Sequence, residues 1–242
     1  MIQTISSKQN NLIKEVVKLS NSSFRKEKGM YKVDGFHMFE MANESDDLLY
    51  VFTTKKVDNL DDKIPQYIVT EDILKKMSSS ITPQGIVSVC KIKAEKPIKS
   101  ERVLYLDGVS DPGNLGTLLR TALAFGYNDV ILSENCCSIY NEKAIQSSQG
   151  AIFKLNILNN SDLSTLKKNG YTLLATEIKG SKLLNEIVAP KKHVLILGNE
   201  AHGVSQKVLE IADERIRIDI KNIESLNVAI AGAIAMYSLS LF

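Results

Sequence analysis

The alternation of apolar strands and amphipathic helices after Val103 is the feature that most limits how this chain can fold. The strand segments are VLYL, DVILS, YTLLATE, HVLILG and RIRIDI, and helical segments such as NLGTLLRTALAF, SDLSTLKKN and SQKVLEIAD separate them. Strands that are apolar almost throughout are typical of a parallel sheet with helices on both faces. The sequence therefore predicts an α/β domain with a parallel sheet over residues 103–242.

Three polar turns follow strands of this predicted sheet. They read DGVSDPGNLGTLLR, LGNEAHGVS and IDIKNIESLNVAIAGAI. Ligands of such sheets bind outside the carboxyl ends of the strands, near a switch in strand order. The first turn has Asn114 where a phosphate-binding P-loop has lysine, and no G-x-G-x-x-G occurs. We therefore expect a ligand site at these turns but disfavour a Rossmann-type dehydrogenase.

The first two turns carry residues that suit a binding site. Asn114 is a predicted N-cap, and Arg120 follows near the inner face of the helix, where it needs a carboxylate, a carbonyl or a phosphate. A salt bridge at the surface would explain Arg120 equally well. Gly198 and Gly203 let a ligand approach the backbone, although a left-handed turn before a helix would also require glycine.

The third turn places Ser225 and Asn227 before a helix of small residues. The small residues are Ala229, Ala231, Gly232, Ala233 and Ala235. Small side chains allow close approach by a ligand, by a crossing segment or by a second subunit. Tight packing of the helix in its own core is the alternative that the pattern leaves open.

Residues 1–96 predict a separate, small α/β unit with short elements. A helix over about Ser7 to Ser20 is followed by strand and helix segments that include MYKVDG, HMFEMAN, LLYVFTT, QYIVT, EDILKKMSS and GIVSVCKI. The lysine-rich segment KAEKPIKSER has the composition of a linker. We predict domains over residues 1–96 and 103–242, joined by a linker at 97–102.

The N-terminal segment is basic although the net charge of the chain is only +2. Residues 1–32 hold seven Lys or Arg against two Glu. Such an excess can follow a nucleic-acid backbone, although a solvated helix face has the same composition. The residues that we predict to bind RNA are Lys8, Arg25, Lys26, Lys28 and Lys32.

Cysteine and histidine usage argues against metal chemistry and against a disulfide framework. The three cysteines include the adjacent pair Cys136 and Cys137, and the three histidines lack metal-ligand spacing. The N-terminus has no signal-peptide core, and no segment reaches membrane-spanning length. We therefore expect a cytoplasmic protein that uses no metal and no membrane.

Taken in order, the three turns resemble the motifs of the SpoU (TrmH-type) family of RNA ribose 2′-O-methyltransferases, within the SPOUT class. Asn114 and Arg120 match the first motif and Ser225 and Asn227 the third. Asn199 and Glu200 in LGNEAHGVS match the second. The segments FRKEKGMYKVDGFHMFEMA and TPQGIVSV are similar to the family's substrate-binding domain, which is related to RNA-binding ribosomal proteins. The resemblance covers nearly the whole chain.

The resemblance implies an enzyme that transfers a methyl group from S-adenosylmethionine to a ribose 2′-hydroxyl, with 23S ribosomal RNA as the expected substrate. It also implies a deep C-terminal trefoil knot and a homodimer. The implied catalytic residues are Asn114, Arg120, Glu200, Ser225 and Asn227, and the implied cofactor-binding residues are Leu197, Gly198, Gly203, Ile218 and Leu226. Two positions depart from the family pattern, which has proline where this chain has Asp219 and often arginine where it has Gln146.

Three other functions stay open at this stage. A non-catalytic RNA-binding or ribosome-assembly protein would keep the fold without binding the cofactor. A tRNA 2′-O-methyltransferase would differ only in its substrate. A base methyltransferase would need a cysteine nucleophile, but Cys136 and Cys137 lie outside all three motifs.

Overall fold

The computed structural model describes residues 2–58, 60–80 and 82–241, so the outermost residues of the predicted domains, Met1 and Phe242, lie outside the described residues. The chain forms two compact units. The first unit comprises Met1–Ala94 and Tyr140–Phe153, and the second comprises Glu95–Ile139 and Lys154–Phe242. Among the described residues, no helix is long and apolar enough to span a membrane.

The first unit is a small α/β domain around a mixed sheet of five strands. Its strands are β1 (Ile2–Ile5), β2 (Met30–Asp34), β3 (Leu48–Thr53), β4 (Gln66–Val69) and β5 (Ile86–Lys91), in the order β1-β4-β3-β5-β2. Its helices are α1 (Asn11–Lys18), α2 (Ser22–Lys28), α3 (Phe36–Asn43), α4 (Glu71–Met77) and α6 (Glu142–Ser148), and a 3₁₀ turn covers Ala151–Phe153. The predicted small α/β unit is therefore confirmed.

Local sequence explains where the first helices of this unit begin and what they bury. Asn10 and Asn21 cap α1 and α2 through side-chain oxygens that accept from the amides of Leu12 and Phe24. Ile13 and Val16 of α1 are fully buried in the core of this unit. A continuous apolar face thus holds α1 on the unit, although α1 has only eight residues.

The segment Tyr140–Phe153 belongs to the first unit, whereas the predicted bounds place it in the second domain. The rings of Tyr140 and Phe153 lie 4.6 and 6.4 Å from that of Tyr31. The carboxylate of Glu142 lies 3.3 Å from the ammonium of Lys32. Apolar and ionic contacts thus fasten a segment distant in sequence onto β2, which a linear search for linkers does not reveal.

The second unit has a sheet of seven strands, all parallel, which confirms the prediction. Its strands are β6 (Arg102–Asp107), β7 (Asp129–Leu132), β8 (Asn156–Asn159), β9 (Thr172–Thr176), β10 (Lys182–Leu183), β11 (His193–Gly198) and β12 (Glu214–Arg217), in the order β10-β12-β9-β11-β6-β7-β8. Its helices are α5 (Pro112–Ala124), α7 (Leu163–Lys168), α8 (Gln206–Ile211) and α9 (Val228–Ser240), with a 3₁₀ turn at Leu184–Glu186.

Strand β6 is where the order of this sheet switches. The chain proceeds from β6 through β7 to β8 at one edge and then returns to β9, and β11 fills the place between β9 and β6. Strand β11 is buried along its length and β6 is buried after the half-buried Arg102, as their apolar sequences predict. The carboxyl ends of these two central strands therefore open into the first and second polar turns.

Three strands were not predicted, and each has a physical reason. β1 is mostly exposed, while β8 and β10 form the edges of the second sheet. Such strands lack the continuous apolar run that marks a buried parallel strand. β12 is also shorter than the predicted RIRIDI, because the chain leaves the sheet after Arg217.

Candidate active site

The three polar turns lie at the carboxyl ends of β6, β11 and β12. β6 and β11 are hydrogen-bonded neighbours, and β9 separates β11 from β12. The first turn leads into α5, the second into α8 and the third into α9. The fold thus places all three motifs at one edge of one sheet, where parallel sheets bind ligands.

Asp111, and not Asn114, caps helix α5. The Oδ1 atom of Asp111 accepts a hydrogen bond of 2.9 Å from the amide of Asn114, and Pro112 occupies the first turn of the helix. Proline suits this position because its missing N–H would have no partner in the helix. The prediction that Asn114 is the N-cap is therefore wrong, and its side chain is free to act elsewhere.

The carboxylate of Glu200 accepts several hydrogen bonds from the first turn. It accepts from the amide and the hydroxyl of Ser110, at 3.1 and 2.9 Å, and from the amide of Asp111 at 3.1 Å. It also accepts from Nδ2 of Asn114 at 3.0 Å. The Nδ2 atom of Asn199 adds a longer bond of 3.4 Å. The four donors from the first motif hold that motif on the carboxylate of the second.

These hydrogen bonds keep Glu200 ionised. Partial burial raises the pKa of this carboxyl, but the donors from Asn114 and the backbone of Ser110 and Asp111 outweigh burial and lower its pKa to about 2. Glu200 therefore carries a negative charge at neutral pH. A carboxylate in this state accepts hydrogen bonds and holds a loop, and it is a poor general acid.

Asn227 connects the third motif to the first. Its Nδ2 atom donates to Oδ1 of Asn114 at 3.0 Å, while its Oδ1 atom caps α9 by accepting from the amides of Ala229 and Ile230 at 2.9 and 3.3 Å. Because Asn114 also donates to Glu200, one chain of side chains joins all three motifs. The resemblance put these three residues in one site, and the structure brings them together.

Asn199 shapes the second turn. Its Nδ2 atom donates to the carbonyl of Gly108 at 2.7 Å, and its Oδ1 atom accepts from the amide of Ala201 at 2.9 Å. Its backbone exchanges two hydrogen bonds of 2.9 Å with Gly203. A Cβ at Gly198 would clash with the backbone of Gly203, so glycine is required where the turn closes on its own strand.

Arg120 and Ser225 are left without partners by this network. Both side chains are exposed, and neither has a hydrogen bond or ion pair with any of the residues that the structure describes. An ordinary surface salt bridge would have shown a carboxylate beside Arg120. The guanidinium and the hydroxyl are therefore available to a ligand.

The predicted cofactor-binding residues occupy two different settings. Leu197 and Gly198 are buried at the end of β11, Gly203 is exposed, and Ile218 and Leu226 are half-buried at the ends of a loop. Within the described chain, the amides of residues 221–226 donate no hydrogen bond. Free amides beside half-buried apolar side chains fit a ligand with polar and apolar parts, such as S-adenosylmethionine.

Helix α9 packs closely against this site through its small residues. A Cβ at Gly232 would lie 2.5 Å from Cδ2 of Leu118 on α5 and 2.6 Å from Cδ1 of Leu197 on β11. Ala229 and Ala235 are buried on the same helix. Of the alternatives that the sequence left open, packing against α5 and β11 explains these small residues.

The predicted RNA-binding residues are not equivalent. Arg25 and Lys32 are buried, and they donate to the carbonyls of Leu19, Ser20 and Met77 at 2.9, 2.9 and 2.6 Å. Their charges therefore serve the fold. Lys8, Lys26 and Lys28 are exposed, although Lys8 pairs with Asp72 at 2.9 Å and Lys28 with Glu15 at 3.6 Å.

The sequence interpretation missed Ser110 and Asp111. Ser110 supplies two of the donors to Glu200, and Asp111 supplies a third and caps α5. The dipeptide Asp-Pro followed by glycine is a recognisable helix-start signal, with Asp as the cap and Pro as the first helical residue. That signal would have identified the cap and freed Asn114 for the network.

The two adjacent cysteines do not have the setting of a nucleophile. Sγ of Cys136 donates to the carbonyl of Leu106 at 3.1 Å. Burial raises the pKa of Cys137 to about 11, with Cys136, Glu200 and Asp111 adding to the shift, so this thiol is protonated at neutral pH. Among the described residues, no group of His, Cys, Asp or Glu is arranged to hold a metal ion.

Comparisons with known proteins identify relatives of both units. Residues 101–237 match the model of the SpoU rRNA Methylase family, and residues 10–88 match that of the MRM3-like substrate binding domain. The 23S rRNA (guanosine(2553)-2′-O)-methyltransferase RlmP of Bacillus subtilis (strain 168) is 32% identical over 246 residues, which cover 98% of this chain and 99% of that protein.

Solved structures share the fold over almost the whole chain. An AdoMet-bound rRNA methyltransferase from Sinorhizobium meliloti has a TM-score of 0.89 at 24% identity, covering 98% of this chain and 97% of that one. An RNA 2′-O ribose methyltransferase has a TM-score of 0.81 at 25% identity, covering 99% and 98%. Both units of this chain therefore occur together in proteins of known structure.

Proposed function

The chain belongs to the SpoU rRNA methylase family, and from this premise we propose that it transfers a methyl group from S-adenosylmethionine to a ribose 2′-hydroxyl of 23S rRNA. The relative from Bacillus subtilis, similar along its whole length, modifies a guanosine of 23S rRNA at its 2′-oxygen. The equivalent guanosine is the first nucleotide at which we expect methylation.

The network through Glu200, Asn114 and Asn227 is the observation that carries this proposal. It ties three loops together with hydrogen bonds of 3.0 Å between side chains, and Arg120 and Ser225 of the first and third motifs stay exposed. A protein that only bound RNA would have no need of three loops fixed to one another by polar side chains together with an unpaired arginine on the same helix as Asn114. The arrangement suits an enzyme that positions a reacting group.

The residues at the ends of β11 and β12 fit the methyl donor. Leu197 and Leu226 offer apolar contact, and the amides of residues 221–226 offer donors. When bound there, S-adenosylmethionine would supply the methyl group: the 2′-oxygen would gain it as the methyl–sulfur bond breaks, and the hydroxyl proton would pass to water. The leaving thioether is neutral, so the chemistry needs no metal ion.

Arg120 is the residue that we assign to the ribose and its phosphate. A guanidinium stays protonated at any physiological pH, so it stabilises negative charge and does not take a proton. It would hold the RNA phosphate and favour the developing negative charge on the 2′-oxygen. The hydroxyl of Ser225 would orient the ribose, while Asn114, Glu200 and Asn227 hold the loops in place.

The first unit would bind the RNA. The MRM3-like match covers residues 10–88 of this unit, and Lys8, Lys26 and Lys28 expose positive charge there. Such lysines increase affinity for a phosphate backbone without selecting a sequence. An rRNA substrate also agrees with the expected cytoplasmic location.

A homodimer is part of the proposal, because helix α9 exposes an apolar stripe. Ile230, Ile234, Tyr237 and Leu241 are 53, 39, 54 and 60% exposed, and their spacing puts them on one side of the helix. A helix that is apolar on every side is normally buried. A second copy of the chain would cover the stripe. The C-terminal trefoil knot that the resemblance implies would involve the same helix.

The test is transfer of labelled methyl from S-adenosylmethionine to 23S rRNA and to tRNA, followed by alkaline digestion. We expect label in 23S rRNA that resists alkali and maps to a guanosine ribose, with none in the Arg120→Ala variant. Label in tRNA alone would overturn the choice of substrate. Binding of RNA without binding of S-adenosylmethionine would identify a non-catalytic RNA-binding protein.

A further inference from the structure

The first unit contains a polar pocket that none of the motifs includes. Its volume is about 390 Å³, within the range of pockets that hold small organic groups. Residues from β2, α3, α6 and the segment before β5 line it: Asp34, Gly35, His37, Met38, Ser80, Gln84, Gln146 and Gln149. We propose that this pocket binds one unpaired nucleobase of the RNA, a role that rests on the RNA substrate proposed above.

The charges of the lining exclude a phosphate. None of the eight lining residues is lysine or arginine, and Asp34 would repel an anion. The Oδ2 atom of Asp34 accepts from the amide of Ser79 at 3.2 Å, and its buried Oδ1 atom has no partner among the described residues. The carboxylate therefore favours a ligand with N–H groups, which nucleobases have and phosphates lack.

Three glutamines supply the groups that read a base. Each amide has both donors and an acceptor, and such pairs can match the edge of a nucleobase. Nε2 of Gln149 donates to the carbonyl of Gln146 at 2.8 Å, which holds one amide in place. The Oε1 atom of Gln84 lies so close to Gly35 that a Cβ at this position would clash with it.

The backbone around the pocket is shaped for these side chains. Gly35 has a φ of +92°, a conformation that favours glycine, and it starts helix α3 without a side-chain cap. Gln149 has a φ of +47° at the end of α6, although it is not glycine. Gly35 and Gln149 both line the pocket.

An exposed aromatic side chain lies beside the lining residues. Phe36 follows Gly35 and precedes His37, and its side chain is 46% exposed. Single-stranded RNA bases stack on exposed aromatic rings, and proteins use such rings together with amide groups to bind unpaired bases. A protein segment as occupant would favour an apolar groove, whereas seven of the eight lining residues here are polar or glycine.

The test separates RNA affinity from catalysis. Steady-state methyl transfer is measured on transcribed 23S rRNA with two variants, Gln84→Ala/Gln146→Ala and Phe36→Ala. We expect KM for RNA to rise about tenfold in each, with kcat unchanged, since base stacking and hydrogen bonds act in binding. Gln206→Ala, an exposed glutamine on α8, is the matched control and should keep the wild-type KM.

Two outcomes of this assay would overturn the proposal. KM could stay unchanged in both variants while the wild type is active. Alternatively, the variants could lose activity on ribosomal particles and keep it on free 23S rRNA, which would mean that a ribosomal protein occupies the pocket.

Crosslinking keeps the proposal testable even if the wild type methylates no RNA. With 23S rRNA that contains 4-thiouridine, irradiation should link the RNA to peptides that contain residues 34–38, 84 or 146–149. Crosslinks confined to the lysines of α1 and α2 would contradict the pocket. An inactive wild type that crosslinks at the pocket would overturn the proposed methylation and leave the base-binding role standing.

Discussion

The motif loops of the second unit and the basic segment of the first unit use their polar residues in opposite ways. In the motif loops, Glu200, Asn114 and Asn227 bond to one another, and Arg120 stays exposed. In the basic segment, the buried guanidinium of Arg25 donates to the backbone carbonyls of Leu19 and Ser20. An ordered set of motifs therefore specifies geometry, whereas a local excess of charge does not specify which side chains face a ligand.

The largest effect that we expect comes from the free arginine of the motif loops. Arg120→Ala should lower kcat for methyl transfer by about a thousandfold, because a preorganised positive group near developing charge contributes that much. The fold should be unaffected, since Arg120 has no partner among the described residues. Kinetics with labelled S-adenosylmethionine and a thermal melt measure the two quantities.

Arg120→Lys is the matched control for this prediction. It keeps the charge but loses the planar pair of donors, so we expect partial activity between that of the wild type and that of Arg120→Ala. Cofactor affinity, measured by titration calorimetry, should stay within about twofold of wild type in both variants. An equal loss of cofactor affinity and rate in Arg120→Ala would place this residue in cofactor binding.

A smaller loss of activity should follow from weakening the network itself. Glu200→Gln removes the charge that holds the amides of Ser110 and Asp111, so the first turn should shift and kcat should fall about ten- to a hundredfold. Glu210→Gln on α8 is the control, since among the described residues the carboxylate of Glu210 accepts a hydrogen bond only from the side chain of Gln206. Wild-type activity in Glu200→Gln would mean that the loops hold their geometry without this carboxylate.

In the basic segment, substitution of a buried arginine should lower the free energy of unfolding. Arg25→Ala removes two hydrogen bonds of 2.9 Å and leaves their carbonyl acceptors unpaired, which should cost about 2 kcal/mol in the free energy of unfolding, or about 4–8 °C in Tm. Lys26→Ala, next in sequence and exposed, should leave Tm unchanged and weaken RNA binding a few-fold, less so at high salt. The reverse result would show that Arg25 faces the RNA.

The same contrast explains how much could be predicted from the sequence. The parallel sheet and the three turns were predictable because buried strands need continuous apolar runs and polar turns interrupt them. The joining of Asn114, Glu200 and Asn227 was implied by the resemblance, since their separation in sequence gives no distance. The homodimer and the knot stay predictions.

Other features depend on tertiary contacts that no local pattern records. Tyr140–Phe153 belongs to the first unit because aromatic rings and an ion pair with Lys32 hold it there. The pocket at Gly35 is likewise lined by Gln84 and by Gln146 of α6, which are far apart in the chain. The spacing of residues in the sequence does not predict contacts that form only on folding.

The smallest effect that we expect is a change of stability with pH that belongs to Glu200. Its pKa is lowered from 4.5 to about 2 in the folded protein, so its contribution to stability is complete above about pH 4.5 and is lost as the pH falls toward 2. Because the side chain is exposed, solvent screening limits this contribution to about 1 kcal/mol. Urea unfolding of wild type and Glu200→Gln at pH 7 and pH 3 measures it, and the difference between the two proteins should shrink at pH 3. A constant difference would mean that the donors around Glu200 bind its protonated and ionised forms equally. The geometry of the network would then depend more on packing than on the charge of Glu200.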